Sequence, residues 1–379
     1  MEHKYKELRK RYVDRIEERK KWLKDFWGGK DTGRPPISFI PYSYEPRQIF
    51  DDVNLQMEKA YMYFTAIMEL PGDNLPVFWP DMGTVCLASV FGGELVREGC
   101  GKNLWIKPAF TSLEHLKDIE KPDVMKALVK EEFDRCRRWR DLTDGFGYIA
   151  PPDMQGPVNL AILVMEANEF FVGMYTEPEL IHKLLRLCTD VILDVLDIYR
   201  REFGSAFAPV TWPYIWFPDG MGITLTQDSL PFLSPELYQK FELPYVKEIS
   251  EKSWGVFIHC CGKFEHNLQV MKEITKLKGI DPSYPLSRVE RIVDVLGRDI
   301  VITPNLNSKG IDVFPSYDRY VEYLVETLPD IRFWYILTAD SPEPYFNADA
   351  TIKTLKVLGL NDIAEKFQNT VDSLLILNI

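Results

Sequence analysis

Apolar residues recur along this chain with two different periods, and the chain switches between them regularly. Over residues 4–26 the apolar positions Tyr5, Leu8, Tyr12, Ile16 and Leu23 share one helix face, and the polar face is dominated by Lys and Arg. The run Gly33-Arg34-Pro35-Pro36 then ends the helix and starts an extended segment. Eight short β-rich apolar runs follow, at Ile37–Tyr42, Leu75–Pro80, Tyr148–Pro152, Ala206–Thr211, Gly255–Cys260, Leu277–Asp281, Ile300–Asn305 and Phe333–Ala339. Helical stretches lie between them. Glu177–Arg201 repeats apolar residues at helical spacing, and Ser234-Pro235-Glu236 sets an N-cap residue before a proline suited to the first helical position.

Strands alternating with helices predict an α/β protein, specifically a parallel (β/α)8 TIM barrel. An open doubly wound sheet is the structural alternative. No GxGxxG follows any strand and no GxxxxGK(S/T) occurs, so nucleotide-binding versions of that sheet lose support. Residues 1–35 read as an N-terminal amphipathic extension and 36–379 as the barrel. The longest connection, about 83–147, reads as a lid-like insertion after strand 2.

Composition narrows the function. Asp and Glu outnumber Lys and Arg by 57 to 45, for a net charge of −12, which argues against nucleic-acid or acidic-membrane partners. The opening residues hold no apolar stretch, and no run of about 18 apolar residues occurs, so neither a signal peptide nor a membrane span is expected. Six cysteines without a CxxC pair are no disulfide framework, and a soluble, reducing, cytoplasmic setting is the simplest expectation. Aromatic residues make up 13% of the chain, and several of them fall at strand ends: Tyr42, Tyr44, Trp79, Trp212, Tyr214 and Trp216.

In a (β/α)8 barrel the site lies at the C-terminal ends of the strands. The sharpest strand end is His259-Cys260-Cys261-Gly262. Residues i and i+2 of a strand point to the same side, so His259 and Cys261 converge while Cys260 turns away. An imidazole and a thiolate are half of a zinc site, and zinc chemistry there would activate a thiol. Two buried cysteines beside a satisfied histidine are the blander reading of the same motif. Asp81 ends strand 2 after Trp79-Pro80 and suits either a helix cap or a substrate contact. Strand 6 offers Asp281.

The order of features resembles the uroporphyrinogen decarboxylase superfamily. The resemblance is carried by Arg34-Pro35-Pro36-Ile37, Gly156-Pro157, Glu177-Pro178-Glu179-Leu180, Leu233-Ser234-Pro235-Glu236-Leu237-Tyr238, Phe241-Glu242-Leu243-Pro244-Tyr245, His259-x-Cys261-Gly262 and Gly297-Arg298 before Asn305. It implies the (β/α)8 barrel. The decarboxylase branch matches at Asp81, but its catalytic tyrosine falls near Leu163 and its late histidine within Thr338-Ala339-Asp340. The branch of corrinoid-dependent methyltransferases, such as methylcobamide:coenzyme M methyltransferase, matches at His259 and Cys261. Its third zinc ligand, a cysteine after strand 8, has no counterpart, and Asp340 stands near that place.

The resemblance therefore implies a zinc-assisted methyltransferase. Zn2+ would sit on His259, Cys261 and Asp340, with Cys261 and Asp81 as the catalytic residues. A small nucleophilic acceptor would be bound by Tyr42, Trp79, Tyr214, Trp216, Gln227, Asp228 and Asn305. Methylcobalamin on a separate corrinoid protein would be the co-substrate. A metal-free decarboxylase or lyase acting through Asp81 on a smaller acid, and a non-catalytic tetrapyrrole or corrinoid carrier, are the alternatives.

Overall fold

The basic first helix belongs to the core. The computed structural model describes residues 2–98, 103–209, 212–218, 220–341 and 347–376. In it α1 (Glu2–Trp27) buries Tyr5, Leu8, Tyr12, Ile16, Leu23, Phe26 and Trp27, the stripe that its period predicts. Arg19 lies on the same face and is buried as well. Its guanidinium donates to the carbonyls of Ile67, Leu70 and Asn74 at 2.9, 2.7 and 2.8 Å. Ile67 and Leu70 end α2 (Val53–Glu69), so Arg19 satisfies carbonyls that the helix itself leaves without partners. Trp27 Nε1 donates to the carbonyl of Trp216 at 2.7 Å, which ties α1 to the segment leading into the central sheet.

The strands are β1 (Ile37–Ile40), β2 (Val77–Phe78), β3 (Glu94–Glu98), β4 (Asn103–Lys107), β5 (Tyr148–Ile149), β6 (Ile223–Thr226), β7 (Val256–Cys260), β8 (Leu277–Tyr284), β9 (Val301–Ile302), β10 (Asn305–Leu306), β11 (Arg332–Phe333) and β12 (Tyr335–Thr338). The largest sheet runs β11-β9-β8-β7-β6, with β10 on β8, and every pair in it is parallel. β2 and β5 form a second parallel ladder, and β1 pairs in parallel with β12. Parallel ladders joined through helices define a mixed α/β fold. Between ladders the contacts are sparser. The Asn74 amide bonds the backbone N–H and C=O of Phe39 at 3.2 and 2.7 Å, and Trp334 N–H reaches the Ile302 carbonyl at 3.0 Å. The described ladders do not run together as one continuous ring.

Two strands differ from expectation. The run at 206–211 contributes only a bridge between Phe207 and Ile149, and Val210 and Thr211 lie outside the described residues. β6 occupies a place in the central sheet although its four residues are too few to show a period. Gly220 and Gly222, at φ 75° and 130°, turn the chain into it with backbone angles that other residues rarely adopt.

The lid-like insertion divides into two parts. Its first part is an antiparallel hairpin, β3 with β4, of which residues 99–102 lie outside the described set. Its second part is α3 (Ala127–Leu142), which packs inward. Trp139 of α3 is fully buried, edge-on to Phe64 at 4.8 Å and stacked on Phe78 at 5.0 Å. Beyond it come α4 (Pro157–Val164), α5 (Ala167–Thr176) and α6 (Pro178–Phe203), the last matching the helix expected at 177–201.

Candidate metal centre and ligand cavity

β7 is buried along its whole length, and its pleat separates the two cysteines. Cys260 is buried, and loss of solvent pushes its thiol well above the ordinary range. His259 and Cys261 point the same way, with His259 Nε2 3.0 Å from Cys261 Sγ. Gly262 follows because nothing larger fits: a Cβ there would lie 2.2 Å from Pro231 Cγ. In the register of β6 with β7, Thr226 stands opposite His259, and Asp228 comes two residues later. Asp228 Oδ1 accepts the Cys261 backbone N–H at 2.7 Å and lies 3.9 Å from His259 Nε2. One ligand atom from each of Asp228, His259 and Cys261 lies within 4.8 Å of the other two. Cys261 is exposed and Asp228 is half-buried, so the group opens outward.

An imidazole, a thiolate and a carboxylate converging at an open mouth are a donor set that zinc accepts, with a fourth position left free. The far side of the histidine is also provided for. Asp281 of β8 pairs in register with His259, and its Oδ2 stands 2.5 Å from His259 Nδ1. Asp281 is held in turn by Trp212 Nε1 on Oδ2 at 2.9 Å and by Thr303 Oγ1 on Oδ1 at 2.7 Å. Burial opposes the charged form of His259. Asp281 and then Cys261 outweigh it, so without metal the imidazole pKa is raised well above its usual value.

Asp281 and Trp212 also wall a cavity of about 210 Å³, together with Tyr42, Asn305, Leu306 and Ile336. Its volume is below the roughly 300–1,000 Å³ of drug-sized ligand pockets, so it suits a small molecule and does not enclose a macrocycle.

The other candidate residues are dispersed. Tyr42 and Asn305 line the cavity. Asp340 is outside the metal group, and its Oδ2 accepts the Ser43 backbone N–H at 2.7 Å. Asp81 is buried at φ 49°, accepts the Gly83 N–H at 3.1 Å, and has its pKa raised by burial against the opposing pull of Arg47. The Arg47 guanidinium lies over the rings of Trp79, Trp212 and Tyr214 at 5.6, 5.8 and 5.1 Å. Tyr214 donates to Glu45 Oε2 at 2.8 Å. Trp216 packs beside Tyr148 in the core, away from the cavity lining. Gln227 is buried, donating to Glu242 Oε1 at 2.9 Å and accepting from Tyr238 at 3.3 Å.

Sequence reasoning missed three groups here. Thr303 follows β9 without a motif to mark it. Glu242 and Glu132 sit at helical polar positions yet are fully enclosed, and burial raises each pKa to about 8. Asp153, by contrast, directly follows the strand-like run Tyr148–Pro152 and so falls where the strand-end rule points; burial and then Asp81 push its pKa up to about 7.

No family model and no curated protein matches this sequence. Among solved structures, the chain is similar to a methyltransferase from Methanosarcina mazei, with a TM-score of 0.63 and 15% identity, over 92% of this chain and 98% of the other. The two share a fold across nearly their whole lengths.

Proposed function

We propose that this protein is a zinc-dependent methyltransferase of the uroporphyrinogen decarboxylase superfamily, with residues 36–379 forming a closed (β/α)8 barrel and residues 1–35 an extension docked on it. The pairing of β1 with β12 supports closure, because it joins the first strand to the last. The fold likeness to a methyltransferase supports the reaction class. The observation that carries the reading is the convergence of Asp228, His259 and Cys261 at adjacent strand ends.

In this reading His259 Nε2, Cys261 Sγ and an Asp228 carboxylate oxygen hold the zinc. Asp228 takes the place that the family resemblance would give to Asp340. When bound, the metal supplies a lowered pKa for a coordinated acceptor thiol or hydroxyl. Asp281 keeps His259 oriented, and the cavity beside it takes the body of a small acceptor. The methyl group comes from a methylated corrinoid such as methylcobalamin, presented by a separate corrinoid protein at the open face. Asp81, which accepts the Gly83 N–H and is faced by Arg47, holds the local architecture where β2 ends. The setting is cytoplasmic in this reading; among the described residues no helix is long and apolar enough to cross a membrane.

The test is zinc content of protein purified without chelator, together with thiol methylation from methylcobalamin. Absence of zinc with unchanged activity in Cys261→Ala would sink the proposal.

A further inference from the structure

The metal group accounts for three residues, but the most enclosed polar contact at the site belongs to a fourth. Asp281 is 2% exposed and stands behind the metal group, on the Nδ1 side of His259. Both of its oxygens are engaged: Oδ2 faces His259 Nδ1 at 2.5 Å and receives Trp212 Nε1 at 2.9 Å, and Oδ1 receives Thr303 Oγ1 at 2.7 Å. Three neighbours from three different segments hold this carboxylate in place. A group so restrained cannot turn to serve substrate and histidine alternately.

We propose that Asp281 is the positioning residue of the zinc centre: it fixes the proton of His259 on Nδ1 and so presents the Nε2 lone pair to the metal beside Cys261 and Asp228. The inference rests on the zinc reading above. An imidazole can offer a metal only the nitrogen that lacks a proton, and the partner of the other nitrogen decides which one that is. Here the acceptor at Nδ1 is a carboxylate, which also makes the ring a stronger donor at Nε2. Trp212 adds a second consequence. It donates to the same oxygen and walls the ligand cavity, so the cavity and the metal group share one carboxylate.

Asp281→Asn keeps the shape of the side chain. Its oxygen can still accept from His259 and Trp212, and its amide can donate to Thr303, so the fold is retained while the charge is lost. Zinc dissociation constants are measured by chelator competition on the full chain, and the Co2+-substituted protein is followed by its visible absorption. We expect zinc affinity to fall about 10–100-fold in Asp281→Asn, with a shifted cobalt spectrum and native circular dichroism. Thr303→Val, which frees only Oδ1, gives a smaller shift in the same direction and decides the matter if the first variant does not fold. Wild-type zinc affinity in a folded Asp281→Asn, or in Thr303→Val alone if Asp281→Asn is unfolded, overturns the positioning role and leaves the zinc reading standing. A wild-type chain that binds neither zinc nor cobalt overturns both.

Discussion

Asp228 and Cys261, 33 residues apart, are joined by a 2.7 Å hydrogen bond from the cysteine's backbone N–H to the aspartate's Oδ1. That bond brings a carboxylate from the β6 side next to the His-x-Cys pair of β7. It thereby sets a carboxylate beside the histidine and the thiol in a sequence with no cysteine after Cys261.

If Asp228 completes the centre, Asp228→Ala and Cys261→Ser each weaken zinc binding by more than about 100-fold, since each ligand carries a large share of the binding energy. Asp340→Asn keeps zinc near the wild-type level. Elemental analysis after dialysis against a weak chelator reads both results. Retention of zinc in Asp228→Ala, with loss in Asp340→Asn, would reverse the assignment.

Filling the cavity separates ligand binding from metal binding. Ile336→Trp places a large side chain into about 210 Å³ of space. The expected outcome is a KM for the acceptor raised roughly tenfold or more, with unchanged zinc content, because close-packed interiors tolerate little added volume. Unaltered kinetics would place the acceptor elsewhere.

Glu242 makes stability depend on pH. Its carboxyl accepts from Val158 N–H and Gln227 Nε2, but burial dominates and raises its pKa to about 8. The unfolded chain loses this proton near pH 4.5, while the folded chain keeps it until about pH 8. Stability from this group is thus fully present below about pH 4.5, falls as pH rises towards 8, and levels off above. The total is on the order of 5 kcal/mol. Glu132 adds a similar slope. Glu242→Gln, with the Gln227 amide turned over, keeps the hydrogen bonds and removes one titration. Urea denaturation at pH 5.5 and 8.5 should show the variant losing markedly less stability than wild type between the two. An identical pH dependence would count against a buried neutral Glu242.

Arg19 tests how far the first helix is part of the body. Arg19→Met leaves three buried carbonyls without their donor, at about 1–3 kcal/mol for each that water cannot reach. We expect a loss of roughly 3 kcal/mol in chemical denaturation. A loss under about 0.5 kcal/mol would mean that α1 is dispensable to the core.

What could be read beforehand, and what could not, follows from how locally each feature is encoded. His259 and Cys261 are visible because two residues on one strand share a side whatever surrounds them. The pairing of His259 with Asp281 depends on the register of β7 against β8, and the approach of Asp228 depends on β6. Neither register is written in any short window of sequence. β6 itself escapes notice because four residues between glycine-rich turns and a polar loop are too short for a period. Conversely, the run at 206–211 has strand composition, but among the described residues only Phe207 finds a ladder partner. Trp216 follows a strand-like run in sequence, yet its ring is buried beside Tyr148. Glu132 and Glu242 look like solvated helix positions until tertiary packing encloses them.

The pairing of β1 with β12 has a consequence in time. Trp334, between β11 and β12, donates to Ser38 Oγ of β1 at 2.9 Å, across 296 residues of chain. At about 5–20 residues per second of synthesis, β1 leaves the ribosome roughly 15–60 seconds before its partner exists. Throughout that interval Phe39 and Ile40 lie on an open strand edge able to pair with other chains. The nascent protein therefore has a window of vulnerability that the finished one lacks. Ribosome-stalled chains ending before Phe333 should be cut by protease near β1, whereas the released protein should resist.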